Sequence, residues 1–365
     1  MKNYRIVVDE NMPGITKLFA GFDIVSADGR TIDPLMVQQA DAIFCRSVTA
    51  INKKLLESSK IKFVGTATIG IDHLDIHWLK ENHIGWSNAA GCNAAAVAQY
   101  VLSAIAFWCL KKNRTMQGLK VGIVGAGFVG TELARCLDVL GISYLLCDPP
   151  LQLKNDPRRM SALDKILACD VVSLHVPLTK EGDYPTYHML NEKTLKQLTD
   201  QQLLINTARG AVINNKELET YFQRPNSADI VLDVYENEPN PSIYLIEQCL
   251  LATPHIAGHT LEGKLRGTWA VYKAFCDFFN VDVQHTEREL YPPLNRIRFK
   301  SDILEKQLIE IYDIASDSTL LKQKNDELIA VKFDRLRKNA TQLPSGIVRR
   351  DYSGWCYEGK YQLKL

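Results

Sequence analysis

Short apolar runs alternate with segments of helical periodicity over the first 90 positions of the chain. Residues 4–9, 42–44 and 62–66 read as strands, because each is a brief apolar run bounded by turn residues; 34–40, 52–58 and 72–81 read as helices between them. Such alternation predicts a parallel sheet covered on both faces. A longer apolar stretch follows at 94–110, with Val97, Val101, Ala104, Ile105 and Trp108 at helical spacing and Asn93 suited to its N-cap. At 17 residues, and interrupted by Gln99 and Ser103, it is predicted as a buried helix and not a membrane span.

From 119 to 255 the alternation is clearer. Strands are predicted at 120–124, 143–147, 171–175, 203–206, 230–234 and 250–253, and Val129, Leu133, Leu137 and Leu140 form a helical stripe stopped by Gly141. This is the layout of a doubly wound nucleotide-binding domain. A helix at 261–279 is expected to rejoin the first domain, which makes that domain discontinuous. Beyond it lie two amphipathic stretches, 304–315 and 326–337, and a short region rich in Tyr, Trp and Gly.

The expected architecture is α/β: two doubly wound parallel-sheet domains with a cleft between them, plus a small C-terminal α+β dimerisation domain. The expected boundaries are 1–95 with 259–288 for substrate binding, 96–258 for the nucleotide, and 289–365 for the tail. A tail of about 75 residues has little capacity for a core of its own. Its stripes (Ile303, Leu304, Leu308, Ile311; Leu328, Ile329, Phe333, Leu336) are therefore expected to bury against a second copy, packing within one chain being the alternative.

Composition narrows the function. Forty-three Lys and Arg balance forty-two Asp and Glu, for a net charge of +1. Without clustered surplus cations, nucleic acid is not expected as a partner, although a local phosphate site stays open. Nine cysteines, with no CxxC, signal neither a disulfide framework nor zinc, and no signal-peptide core precedes the first strand. A cytoplasmic protein with reduced thiols is expected. The histidines at 73, 77, 83, 188 and 285 lack partners at metal-ligand spacing, so no metal is assigned.

The chemistry begins at VGIVGAGFVG (121–130), where Gly125, Gly127 and Gly130 form G-x-G-x-x-G between a predicted strand and helix. That context suits a dinucleotide pyrophosphate at a helix N-terminus. Asp148 lies 18 residues past Gly130, where a carboxylate would bind the ribose hydroxyls of NAD and repel the extra phosphate of NADP; Arg158 and Arg159 come ten residues later. NAD is the expected cofactor. Three further segments follow predicted strands: NTARG (206–210), DVYENEP (233–239) and PHIAG (254–258). Ligands of open α/β sheets bind outside the carboxyl ends of the strands, so Arg209, Glu238 and His255 could converge on one nicotinamide. Oxidising a 2-hydroxy acid needs a base, which His can be, a carboxylate to orient it, and an arginine to hold the substrate carboxylate. Taken singly, each could be a surface ion pair, a turn carboxylate or a capped loop histidine, and Glu236 competes with Glu238.

These segments resemble the signatures of the D-isomer-specific 2-hydroxyacid dehydrogenases over about residues 1–285. The resemblance implies Arg209 as substrate clamp, Glu238 as orienting carboxylate and His255 as acid/base. It also implies that Phe128, Val129, Val176, Ala208, Asp233 and Gly258 line the cofactor with the glycine motif and Asp148. Further segments narrow the likeness: VDENMP (8–13), RSVT (46–49), KFVGTATIGIDHLD (62–75), GCNA (91–94), LLCDPP (145–150), HIAGHTLEGKLRG (255–267) and FDRLRKN (333–339). They resemble the branch that oxidises 4-phospho-D-erythronate at C2 on the way to pyridoxal 5'-phosphate, as homodimers. This implies that Ser47, Thr68 and His259 contact substrate. Hydroxyls on such turns are good phosphate or carboxylate ligands. Arg46, Lys264 and Arg266 are candidate phosphate cations, each equally readable as a solvated surface charge. His259 stands where that branch has tyrosine; it either binds phosphate as a cation or fills the tyrosine's space while neutral. The competing readings are a dehydrogenase of another phosphorylated hydroxy acid, such as 3-phosphoglycerate, and a non-catalytic NAD-binding sensor like the corepressors of this fold.

Overall fold

The structure is a computed structural model and describes residues 4–341 and 348–358. The chain divides into two compact units: residues 1–93 with 260–293, and residues 94–259 with 294–365.

The first unit is built on a five-stranded parallel sheet. Its strands are β1 (Arg5–Asp9), β2 (Asp23–Ala27), β3 (Ala42–Cys45), β4 (Phe63–Thr66) and β5 (Gly85–Asn88), in the order β2-β1-β3-β4-β5. β1, β3 and β4 match the predicted runs. β2 and β5 were not foreseen; they are the two edges, and their DIVSA and GWSN sequences lack a continuous apolar run because neither is fully buried. One face is covered by the Leu261–Phe279 helix, whose Phe275 and Tyr272 join Phe19, Phe44 and Phe63 in an aromatic core.

The second unit carries a six-stranded parallel sheet: β6 (Lys120–Val124), β7 (Ser143–Cys147), β8 (Val171–Leu174), β9 (Leu203–Asn206), β10 (Asp229–Leu232) and β11 (Leu251–Ala252), in the order β11-β10-β9-β8-β6-β7. The Ala94–Lys111 helix is long and apolar enough by composition to cross a membrane, but most of it is buried inside this unit. It packs between the Phe128–Leu140 and Leu304–Ile311 helices, which explains why it is apolar all round.

The tail, expected as a separate domain, belongs to this unit. The stretch expected as one helix at 304–315 is two, Leu304–Ile311 and Ile314–Lys322; Asp313 breaks them by capping the N–H groups of Ala315 and Ser316. Leu308, Tyr312 and Ile314 enter the core around the Ala94–Lys111 helix, while Leu321 and Phe333 enter the core on the other face of the sheet. Polar bonds tie it further: Glu305 accepts the Met116 N–H at 2.6 Å, and the Ala252 N–H donates to Ser318 Oγ at 3.0 Å. The apolar stripes are thus divided. Leu308, Ile311 and Phe333 fill the chain's own core, while Ile303 and Leu328 stay exposed. The tail also contributes a two-stranded parallel ladder, β12 (Asn295–Arg298) with β13 (Trp355–Glu358).

Candidate active site

β6 ends in the glycine turn. Gly125 has φ +93°, and a Cβ there would lie 2.7 Å from the His175 carbonyl carbon and oxygen. At Gly130 a Cβ would lie 2.0 Å from Gly125 O, so only glycine lets the Phe128–Leu140 helix start this close to its strand. Gly127, by contrast, faces open space, with nothing within 4 Å of a built Cβ. The turn therefore offers room at a helix N-terminus that no side chain of Gly127 caps, which fits a pyrophosphate. Phe128 is exposed beside it and Val129 half-buried.

Asp148 follows β7 and reaches back to the turn: Oδ2 accepts the Ala126 N–H at 2.8 Å and Oδ1 accepts the Leu151 N–H at 3.1 Å. A carboxylate has further lone pairs for ribose hydroxyls. Arg158, which no motif marks, returns to the same turn. Its guanidinium donates to Ala126 O at 3.0 Å and Thr131 Oγ at 2.7 Å while paired to Asp156 at 2.8 Å. Val176 follows β8 at the switch point between β6 and β8. Beside it, burial pushes the His175 imidazole down to about 3, so it stays neutral between Ser173 and Thr207.

β9 delivers Arg209. Asn206, fully buried, accepts the Ala208 N–H at 3.0 Å and donates to Arg209 O at 3.0 Å, closing the turn. The next residue, Gly210, has no room for a side chain: a Cβ would meet the Tyr235 carbonyl at 2.0 Å. The arginine turn is thereby pressed onto the loop carrying Glu238.

Glu238 and His255 are bonded. Oε2 lies 2.7 Å from Nδ1, and Oε1 accepts the Tyr235 N–H at 2.9 Å. A carboxylate only accepts, so Nδ1 carries the proton and Nε2 is left as the basic nitrogen. Burial raises the Glu238 carboxyl, but the His255 charge and hydrogen bond, the Tyr235 N–H and Arg337 of the tail together bring it below the usual range. Glu236 is not a competitor, since it pairs with His188 at 2.5 Å.

His255 has φ +57°, unusual for a side chain of this size. Asp233 holds it there. Its carbonyl accepts the His255 N–H at 2.7 Å, and its carboxylate accepts the N–H groups of Ile256 and Ala257 at 2.7 and 2.9 Å and the Thr253 hydroxyl at 2.6 Å. Since Thr253 spends its proton on Asp233, Tyr100 must donate to Thr253, at 2.6 Å. Neither Tyr100 nor Thr253 carries a motif, so neither was legible as part of the site. Gly258 and His259 follow directly, the His259 N–H donating to Ile256 O at 2.9 Å.

In the first unit, Ser47 follows β3 and Thr68 follows β4. Thr68 donates to Gly70 O at 2.9 Å. Its one proton is spent, so Thr66 donates to Thr68 at 2.8 Å and His73 Nε2 donates to Thr66 at 2.9 Å. Thr68 thus presents a lone pair, which suits a substrate hydroxyl better than the anionic oxygen expected of it.

Comparison with known proteins gives the family. Residues 107–257 match the D-isomer specific 2-hydroxyacid dehydrogenase, NAD binding domain. Erythronate-4-phosphate dehydrogenase of Marinobacter nauticus is 41% identical, covering 98% of this chain and 94% of its own. The chain belongs to the erythronate-4-phosphate dehydrogenase family. The enzyme of that name from Photorhabdus laumondii is also 41% identical, over 92% of this chain and 91% of its own. Among solved structures, an NAD-bound 3-phosphoglycerate dehydrogenase of Entamoeba histolytica aligns with TM-score 0.66 and 24% identity over 78% of this chain and 99% of its own. D-lactate dehydrogenase of Aquifex aeolicus aligns with TM-score 0.60 and 24% identity, over 76% and 96%. These two show the fold. The chain is an NAD-dependent 2-hydroxyacid dehydrogenase, and the glycine turn and Asp148 fit that cofactor.

Proposed function

We propose that the protein oxidises 4-phospho-D-erythronate at C2 to 2-oxo-3-hydroxy-4-phosphobutanoate, in the formation of pyridoxal 5'-phosphate. The observation that carries this reading is the Glu238–His255 pair, bonded at 2.7 Å on an NAD-binding sheet, in a chain matched nearly end to end by enzymes of that name. NAD, when bound, accepts the hydride from C2. His255 Nε2 takes the proton of the C2 hydroxyl. Glu238 keeps Nδ1–H in place and stabilises the imidazolium that forms. Arg209 binds the substrate carboxylate through two parallel bonds. Asp233, Ala208, Val176 and Gly258 line the nicotinamide side of the cofactor, with Phe128 and Val129 at the glycine turn. Ser47, Thr68 and His259 contact substrate.

A homodimer joined through the tail, in the cytoplasm, completes the proposal. The exposed Ile303 and Leu328 of the tail support the dimer. The test mixes purified protein with NAD and 4-phospho-D-erythronate and follows reduced nicotinamide, with D-3-phosphoglycerate and D-lactate in parallel. Reduction with the erythronate alone is expected. Reduction only with another acid would move the substrate, and NAD binding without any reduction would favour a sensor.

A further inference from the structure

The first unit carries a charge cluster at the end of its own sheet, and we propose that Lys264 anchors the terminal phosphate of the substrate there, with Ser47 beside it. This rests on the substrate reading given above. The strand order β2-β1-β3-β4-β5 places the topological switch point between β1 and β3. Ligands of doubly wound sheets bind outside the carboxyl ends of the strands at that point. Asp9 is the last residue of β1, and Arg46 and Ser47 directly follow β3.

Two of the three cations expected near phosphate are committed. Arg46 is paired to the fully buried Asp9, Nε to Oδ2 at 3.0 Å and Nη2 to Oδ1 at 3.4 Å. Asp9 also accepts the Asn11 N–H at 2.8 Å, and it is packed so closely that a Cβ on Gly29 would meet its Oδ2 at 2.3 Å. Arg266 donates to Cys92 O at 2.7 Å. Lys264 is different. It lies near the start of the Leu261–Phe279 helix, behind the Thr260 cap, and is half-buried. Among the described residues no carboxylate lies within ion-pair distance of its ammonium.

Several charged groups surround that helix. Its own Glu262 and Arg266 are near in sequence. The packed Ile15–Leu18 helix carries Lys17, which donates to Glu289 O at 2.7 Å, and the Glu287–Leu290 turn carries Glu287, Arg288 and Glu289. β4 and β5 carry no titratable side chain. Arg46 and Asp9 are the charges that act on Lys264, and three residues along the helix a Cβ on Gly267 would meet Ala67 O at 2.8 Å, which sets this end of the helix against the loop after β4. Burial pushes its ammonium down to about 8, Arg46 adds to this, and Asp9 partly offsets it. With Asp9 and Arg46 cancelling, one positive charge stays uncompensated, and an unpaired cation withdrawn in part from water is costly. A phosphate monoester supplies the missing negative charge and accepts hydrogen bonds from the ammonium.

Binding then restores the proton. Above about pH 8 the free enzyme loses it, so phosphate affinity falls as pH rises, by about tenfold per unit for one proton taken up. The experiment is steady-state kinetics of the full chain with 4-phospho-D-erythronate and with D-erythronate, for wild type, Lys264→Met and Lys264→Arg, between about pH 7 and pH 9.5. In Lys264→Met the ratio of kcat/KM for the phosphorylated over the unphosphorylated acid is expected to fall about 10- to 100-fold, mostly through KM. Lys264→Arg is expected to keep the ratio and lose the rise of KM above pH 8. A ratio within twofold of wild type in Lys264→Met, or a wild-type KM flat across that range, would overturn the proposal. If wild type does not oxidise 4-phospho-D-erythronate at all, the substrate reading fails separately. Lys264 is then judged by the Tm gained from inorganic phosphate with NAD saturating: a gain lost in Lys264→Met upholds the site, and an equal gain in both removes it.

Discussion

Replacing Glu238 with Gln tests the logic of the site more sharply than removing it. The Tyr235 N–H donates to one carboxylate oxygen at 2.9 Å, and His255 Nδ1 faces the other at 2.7 Å. In the amide, the oxygen must stay on the Tyr235 N–H, because turning it over would set two donors against each other. Its NH2 group then faces Nδ1, which is forced to accept. The proton moves to Nε2, the nitrogen needed as the base. The loss thus includes both the carboxylate's support of the imidazolium and the wrong tautomer. The first is that of a charge-assisted bond, about 1.5–3 kcal/mol, or roughly 10- to 100-fold. The analogous carboxylate-to-amide change in the Ser-His-Asp triad costs about 10⁴ in kcat. Glu238→Gln is therefore expected to lower kcat by about 10³ to 10⁴, and Glu238→Ala, which leaves the tautomer free, by only about 10². NAD affinity, measured by fluorescence titration, is expected to hold within about twofold in both, since the pair leaves the glycine turn intact. If Gln is no worse than Ala, or keeps more than a tenth of wild-type kcat, the proposed orienting role is refuted.

Other outcomes follow from single contacts. Asp148→Ser is expected to weaken NAD and improve NADP use by about 10- to 100-fold in kcat/KM, because Arg158 already stands at the same turn to meet a 2'-phosphate; unchanged cofactor preference would contradict this. Thr68→Val is expected to raise KM about tenfold for the phosphorylated dihydroxy acid and much less for its 3-deoxy analogue, since the lost group is an acceptor for a substrate hydroxyl; equal losses would return Thr68 to the anion. Phe333→Ala, in a fully buried position with its ring 6.0 Å from that of Tyr235, is expected to cost about 3–5 kcal/mol in denaturant unfolding, where a loss below about 1 kcal/mol would show that the tail does not support the catalytic unit. The folded-state carboxyl of Glu238 lies below its usual value, so its stabilising contribution is present above the ordinary carboxylate range and is lost as pH falls through the lowered value; acid unfolding of Glu238→Ala should begin at a pH no higher than its neutral-pH stability alone predicts.

Much of this was readable along the chain, for physical reasons that differ by element. The strands β6, β8 and β9 are buried along nearly their whole length and mostly apolar, so they stand out, and the glycines at 125 and 130 are demanded by backbone approaches that no other residue survives. The edge strands β2 and β5 were missed because partial exposure mixes polar residues into them. The tail misled for another reason. Its stripes announce burial but not against what, and here Leu308 and Phe333 are buried by their own chain. Arg209, Glu238 and His255 stand out as candidates because each follows a strand within a recognisable segment. Tyr100, Thr253 and Arg158 do not, because their roles come from bonds spanning 153, 20 and 32 residues. The proton chain through His73, Thr66 and Thr68 depends on which partner each hydroxyl spends its hydrogen on, a choice no sequence pattern encodes.

The proposed reaction moves a hydride from C2 of 4-phospho-D-erythronate to NAD. The most direct measurement is a single turnover with substrate deuterated at C2, followed by mass analysis of the nicotinamide. Reduced nicotinamide carrying one deuterium is expected, with almost none formed by His255→Ala although that variant still binds NAD. Unlabelled reduced nicotinamide, or labelled product formed at an undiminished rate by His255→Ala, would contradict it.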